Sequence, residues 1–261
     1  MTAPLEPVDG LTYLSAAAPV SMGDAWFQAA NLKHFWIQRR FDVFRCLCRR
    51  AGVRLEGASV GEIGCGSGLV QEQVYRSFGT RVDGFDLNEY ALRHAVDPAN
   101  PRFVYDIHDR HATLAEKYDV LILFDVIEHI DDDAGFLESA LFHLKSGGYL
   151  VVNVPALQWL YSKYDEAAGH VRRYSLRSLV DVLKSQRGKV VTDCYWGMPY
   201  VPLLTLRKAL GGLTASKSQT IANGFGVRSE LTNTLLGLVG RMEPIPQQFI
   251  GTSAMAIFQK S

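Results

Sequence analysis

Charge of one sign, long apolar runs and paired cysteines are all missing from this chain. Its 27 basic residues are matched by 27 acidic ones, so no global field argues for nucleic acid as a partner. No apolar run reaches the length of a membrane span, and the opening Met1-Thr2-Ala3-Pro4-Leu5-Glu6-Pro7 lacks the basic region and apolar core of a secretion leader. There are four cysteines, and only Cys46 and Cys48 are close, which gives neither a disulfide ladder nor a clustered metal set. A reduced, cytoplasmic setting without a bound metal is the expectation. What remains is a chain of 261 residues, 48% hydrophobic, long enough for one substantial core with helical additions.

The most informative stretch is Val60-Gly61-Glu62-Ile63-Gly64-Cys65-Gly66-Ser67-Gly68. It reads as a short strand, a tight glycine turn and a helix start, with a ligand able to lie against bare peptide. Arg81-Val82-Asp83-Gly84-Phe85-Asp86 reads as the next strand, and its terminal carboxylate stands where an acid reaches a ribose diol. A dinucleotide site is disfavoured: Leu69 stands where glycine or alanine is wanted, the third glycine comes one position early, and Glu62 would repel a pyrophosphate.

These features resemble the class I S-adenosylmethionine-dependent methyltransferases, whose first motif has the form E-x-G-x-G-x-G. The likeness runs on through Asp119-Val120-Leu121-Ile122-Leu123-Phe124-Asp125-Val126-Ile127-Glu128-His129-Ile130, similar to the family's fourth-strand motif. Leu144-Lys145-Ser146-Gly147-Gly148-Tyr149-Leu150 resembles the turn before its fifth strand, with Ser146 in place of the usual proline. The resemblance covers roughly residues 55 to 155. It implies S-adenosylmethionine as cofactor, with Gly64, Cys65, Gly66 and Gly68 against its methionine part, Glu62 organising the turn and Asp86 on the ribose hydroxyls. Asp106 and Ile107 would meet the adenine, whose amino group a carboxylate suits. Phe85 and Leu87 flank the ribose acid, and one of them would cover the adenine; Asp125 would position the amino-acid portion or the loop. Each of these residues also has a plain structural explanation as a turn, cap or core residue.

Alternating apolar runs and helical patterns support an α/β sandwich, with strands near 59–63, 81–86, 102–105, 119–124, 149–154, 189–195 and 253–259. The resemblance implies a doubly wound, Rossmann-like sheet of seven strands, mostly parallel with an antiparallel last strand. Residues 1–54 read as an N-terminal helical segment, helical over about 22–51, and the resemblance implies that residues 55–261 are the methyltransferase domain, with a helical insertion at about 197–251 between strands six and seven. The N-terminal helix is either an amphipathic element with a solvated basic face or a lid lined by His34 and Trp36 over the acceptor. Residues 211–229, rich in glycine, serine and threonine, read as a loop or cover.

Chemistry concentrates after the fourth and fifth strands. His129 has an imidazole whose ordinary pKa suits proton removal from an acceptor hydroxyl, and it serves equally well as a loop-shaping residue. Asp131, Asp132 and Asp133 read as a helix start rather than metal ligands. After Asn153, the segment from Asp165 through Gly169-His170-Val171-Arg172-Arg173-Tyr174 resembles a bacterial branch of the same family that carries a D-x-x-x-G-H-x-R-R-Y block. Asn153, Tyr161, Arg172, Arg173 and Tyr174 are candidates to contact the acceptor, and His170 is a second candidate base with Asp165 as its orienting partner. The alternative is an internal network built from the same residues. The combined reading is methyl transfer to an oxygen or nitrogen of a small acceptor, anionic or hydrophobic, by a monomer or homodimer. The competing readings are a degenerate methyltransferase fold that senses cofactor or binds a partner, and a nicotinamide-dependent oxidoreductase.

Overall fold

The computed structural model describes residues 9–18, 30–210 and 229–261. Its centre is a sheet of eight strands: β1 (Thr12–Tyr13), β2 (Val60–Ile63), β3 (Val82–Asp86), β4 (Arg102–Val104), β5 (Tyr118–Phe124), β6 (Leu144–Pro155), β7 (Gly188–Trp196) and β8 (Ser253–Lys260). The spatial order is β1-β4-β3-β2-β5-β6-β8-β7. Pairings from β1 through β6 are parallel, and β8 runs antiparallel to both β6 and β7.

The expected seven strands are thus present, and an eighth is added at the edge. β1 is only two residues long, too short for any periodic signal, and is held by pairing Thr12 with Phe103 and Tyr13 with Val104. The strand expected at 149–154 begins at Leu144, so the glycine turn falls inside the paired range, where Gly147 takes a positive φ of 78°.

Strands buried on both faces carry two cores because successive side chains alternate. Leu121, Leu123, Leu150 and Val152 face α4 (Asp133–Phe142) and α6 (Leu176–Lys184), meeting Phe136, Leu137, Leu179 and Leu183. Val120, Ile122, Val151 and Ile257 face the other way, toward Phe41, Phe44 and Leu47 of α1 (Phe35–Ala51) and Val70 and Val74 of α2 (Leu69–Phe78). The short helices α3 (Glu89–Arg93) and α5 (Lys163–Ala168) follow β3 and β6.

Of the helix expected over 22–51, residues 22–29 lie outside the described residues, residues 30–34 form a turn instead, and the helix begins at Phe35. The His34 ring caps this helix by accepting from Trp36 N at 3.2 Å, and Gly52 ends it in the left-handed region at φ 70°. Ile37, Phe41, Phe44 and Cys48 are buried at the spacing of one helical face. In the insertion, α7 (Val201–Leu210) and α8 (Glu230–Arg241) are described, and of the cover expected at 211–229 residues 211–228 lie outside the described residues. Asn233 staples α8 to α1, accepting from Phe35 N (2.9 Å) and donating to Lys33 O (2.8 Å). Leu231, Leu235, Leu238 and Met242 point outward from α8. Among the described residues, no helix is long and apolar enough to cross a membrane.

Candidate active site

A cavity of about 410 Å³ opens at the carboxyl ends of β2, β3, β4 and β5. This is where a doubly wound sheet leaves room for a ligand. Its floor is the glycine loop between β2 and α2. Gly64 N and Cys65 N both donate to Phe85 O, at 2.8 and 3.1 Å, which locks the loop against β3. Gly64 has a φ of 74°, and a Cβ there would lie 2.5 Å from Val126 Cγ2, so glycine is required for the loop to pass the end of β5.

Asp86 closes the loop from the side. One carboxylate oxygen accepts from Gly66 N and the other from Asn88 N, each at 2.8 Å. Burial raises its pKa, and the amide bonds oppose that rise. Glu62 lies beneath, with one carboxyl oxygen buried and without a hydrogen-bond partner among the described residues. Burial lifts its pKa to about 8; the Arg40 charge opposes this and the Asp86 charge adds to it. Asp106 and Ile107 form the wall after β4 and Leu87 that after β3, and Asp106 caps the turn at Ile107–Asp109 by accepting from His108 N at 2.9 Å. The cavity therefore gathers all ten residues expected to face a nucleoside cofactor except Gly68, which starts α2 just behind the loop.

Asp125 sits at φ 58°, a strained conformation for a non-glycine residue at the end of β5. Its two oxygens are held from opposite sides, by the Arg40 guanidinium and by Asn153 Nδ2 at 2.7 Å. Asn153 Oδ1 in turn accepts from Trp196 Nε1 at 2.8 Å. Asn153 thus stands behind Asp125 rather than in the cavity wall. Arg40 was not among the residues expected at the site. It reads in sequence as part of a basic helical face, yet it is buried, lies 4.9 Å over the Phe124 ring and lines the cavity. Arg39 beside it is buried too, donating to Glu243 O at 3.0 Å across the insertion. Only the long-range acids distinguish these two arginines from solvated ones.

The expected lid residues lie elsewhere. His34 is engaged as the helix cap and borders a separate crevice between α1 and α8. Trp36 packs on Trp196, with ring centroids 4.4 Å apart, and on Tyr200 at 5.8 Å. An indole seated in the core this way cannot cover the cavity.

His129 does line the cavity. Its Nδ1 lies 3.2 Å from Gly169 O, which assigns the proton to Nδ1 and the lone pair to Nε2. Burial and the neighbouring His170 lower its pKa to about 4, against the opposing pull of the Gly169 carbonyl. His170 meets it edge to face at 4.8 Å and stands outside the wall. Glu128, wholly buried, has neither carboxyl oxygen hydrogen-bonded among the described residues, and burial drives its pKa well up. One atom each of Glu128, His129 and His170 lies within 4.8 Å of the others. The wide sequence separation of His170 hides this grouping of side chains of the metal-ligating type, and the expectation of no metal set did not foresee it.

The G-H-x-R-R-Y block is knitted into its own loop. Asp165 accepts from His170 Nδ1 (2.9 Å), Arg173 Nε (2.7 Å) and Ser162 N (2.9 Å). Burial alone would raise the Asp165 pKa, but the bonds from His170 and Arg173 outweigh it and bring it down to about 2. Arg172 pairs with Asp133 at 3.1 Å, Tyr174 donates to the same carboxylate at 2.7 Å, and Tyr161 donates to His170 O at 2.7 Å. Tyr161, Arg172, Arg173 and Tyr174, candidates for acceptor contact, are placed outside the cavity wall as the frame that holds His170 and Gly169. Asp165→Ala would strand the buried Arg173 guanidinium, so the expected loss is about 3 kcal/mol or more of folding free energy. Urea unfolding measures it, and an unchanged midpoint would show that the pair is not structural.

Residues 35–188 match the family described as a methyltransferase domain. The chain is similar to the ubiquinone biosynthesis O-methyltransferase of Leptothrix cholodnii, 30% identical over 107 residues, covering 38% of this chain and 45% of that protein. The Caulobacter vibrioides enzyme of the same name is 36% identical over 104 residues, covering 37% and 40%. The chain spans about half the length of the curated relatives it matches. A SAM-dependent methyltransferase from Archaeoglobus fulgidus superposes with a TM-score of 0.51 at 18% identity, covering 85% of this chain and 94% of the other. Phosphoethanolamine N-methyltransferase 2 of Haemonchus contortus, in complex with S-adenosyl-L-methionine, gives 0.54 at 17%, covering 84% and 52%. These two likenesses concern the fold alone. With the family match spanning more than half of its length, the chain belongs to the methyltransferase domain family.

Proposed function

We propose that this protein transfers the methyl group of S-adenosylmethionine to an oxygen or nitrogen of a small-molecule acceptor. The observation that carries the reading is the buried Asp86 carboxylate bonded to the glycine loop, in one cavity with His129. The wall has buried polar atoms to offer an amino-acid group: one Glu62 oxygen and Arg40 Nε have no hydrogen-bond partner among the described residues, and Arg40 and Asp125 present opposite charges side by side. Asp86 retains acceptor capacity beyond its two amide bonds, which suits a ribose diol. When bound, the cofactor supplies a methyl carbon activated by a sulfonium.

The chain's own part is alignment, exclusion of water and proton removal. Val126, Ile130 and Phe136 make the cavity apolar beside His129, which favours an acceptor with an apolar body and one protic group. The O-methyltransferase names of the sequence relatives favour oxygen. Calorimetry with S-adenosylhomocysteine and NADH tests the reading. Saturable binding of the first alone is expected, and selective NADH binding would sink it. A protein that binds S-adenosylhomocysteine yet consumes no donor with any phenolic, hydroxyl or amine acceptor would be the degenerate fold instead.

A further inference from the structure

Residues 9–18 run along the open edge of β4 and touch both loops that border the nucleoside end of the cavity. Leu14 N and Ser15 N donate to Val104 O at 2.9 and 3.1 Å, and Ala18 N donates to Leu87 O at 3.3 Å. Leu11 anchors the segment, wholly buried with Leu92 and Val104, and Leu14 packs on the main core. Between these anchors the Ser15 hydroxyl makes two bonds. It donates to the Asp109 carboxylate and accepts from Asp106 N at 2.9 Å. A single side chain therefore ties the first and last residues of the turn that presents Asp106 to the cavity.

We infer that Ser15 is a positioning residue for base recognition: by holding the Asp106 turn it sets the aim of the carboxylate that selects a purine with a 6-amino group. The inference rests on the nucleoside reading of the cavity. Asp106 uses one oxygen to cap its own turn at His108 N, and the carboxylate has further lone pairs for an exocyclic amine. A 6-oxo purine offers that carboxylate an acceptor instead of a donor and is disfavoured. Discrimination depends on the carboxylate staying in place, because a mobile one can turn away from the wrong group.

The test is calorimetry with S-adenosylhomocysteine and its 6-oxo counterpart, S-inosylhomocysteine, on the wild type, Ser15→Ala and Ser15→Thr. The wild type should prefer the amino form. Loss of both anchoring hydrogen bonds should narrow that preference about three- to tenfold in Ser15→Ala, through weaker binding of the amino form, with recovery in Ser15→Thr. A segment that merely supports the fold would weaken both ligands alike and leave the ratio unchanged, and that result would overturn the inference. If the wild type binds neither ligand while folded, the nucleoside reading falls and this inference falls with it. An unchanged ratio in a wild-type-like binder removes only the role of Ser15.

Discussion

Asp86→Ala is expected to weaken binding of S-adenosylhomocysteine by about a hundredfold, or roughly 2.7 kcal/mol. Two effects combine. A ribose diol loses a charged acceptor, and hydrogen bonds to a charged group contribute about 1.5–3 kcal/mol each. The glycine loop also loses the bond at Gly66 N and the following helix start the bond at Asn88 N, so the cradle loosens on both sides. Asp86→Asn separates the two, since its amide can accept once at the loop but brings no charge to the diol, and an intermediate affinity is expected. Both variants should keep the far-ultraviolet dichroism of the wild type, because the strand itself is held by its ladder with β2 and β4. A folded Asp86→Ala protein with wild-type affinity would show that the nucleoside lies elsewhere.

Asp86 was legible because everything it does is local: a strand, an acid at its end and a glycine loop one crossover earlier form a pattern within thirty residues. The same holds for the acids at 131–133, of which Asp132 caps α4 through Gly135 N at 2.9 Å. What sequence left open was decided by contacts across the fold. Arg40 comes to line the cavity only because α1 packs on the sheet face that brings it to Asp125, and Trp36 becomes a core residue through β7, whose Trp196 is far away in the chain. Arg173 and Asp165 are near neighbours in sequence, and their pairing was anticipated as an alternative. That the pairing turns the block inward, away from the cavity, follows from the burial of Asp165 against His170. β1 escaped notice since two residues carry no period, and its contribution lies in hydrogen bonds to an edge that must first exist.

His129→Ala should leave S-adenosylhomocysteine binding within a few-fold of wild type while lowering the single-turnover rate on a hydroxyl acceptor by about a hundred- to a thousandfold. A positioned base contributes on that scale. His129 is preferred over His170 because it alone of the two lines the cavity, and because the Gly169 carbonyl fixes a tautomer with Nε2 as the acceptor. His170 supports the arrangement from behind, tied to Asp165, so His170→Ala should cost less in rate and more in stability. The pH profile makes the assignment sharper. With its pKa lowered to about 4, His129 is neutral and competent throughout the range above about pH 5, so the acid limb of kcat/KM should fall near 4 rather than near the ordinary histidine value of 6.5. The same displacement has a stability consequence. A folded pKa below the unfolded one means that the unfolded chain binds the proton more readily, so the stabilising contribution is complete above 6.5 and is lost as the pH falls through 4, amounting to roughly 3 kcal/mol. His129→Gln should therefore flatten stability between pH 4 and 6.5 as it lowers the rate. Loss of the rate on treatment with a chelator would hand deprotonation to a cation held by Glu128, His129 and His170, whose ligand atoms lie within 4.8 Å of one another, and the imidazole would then be a ligand and not a base.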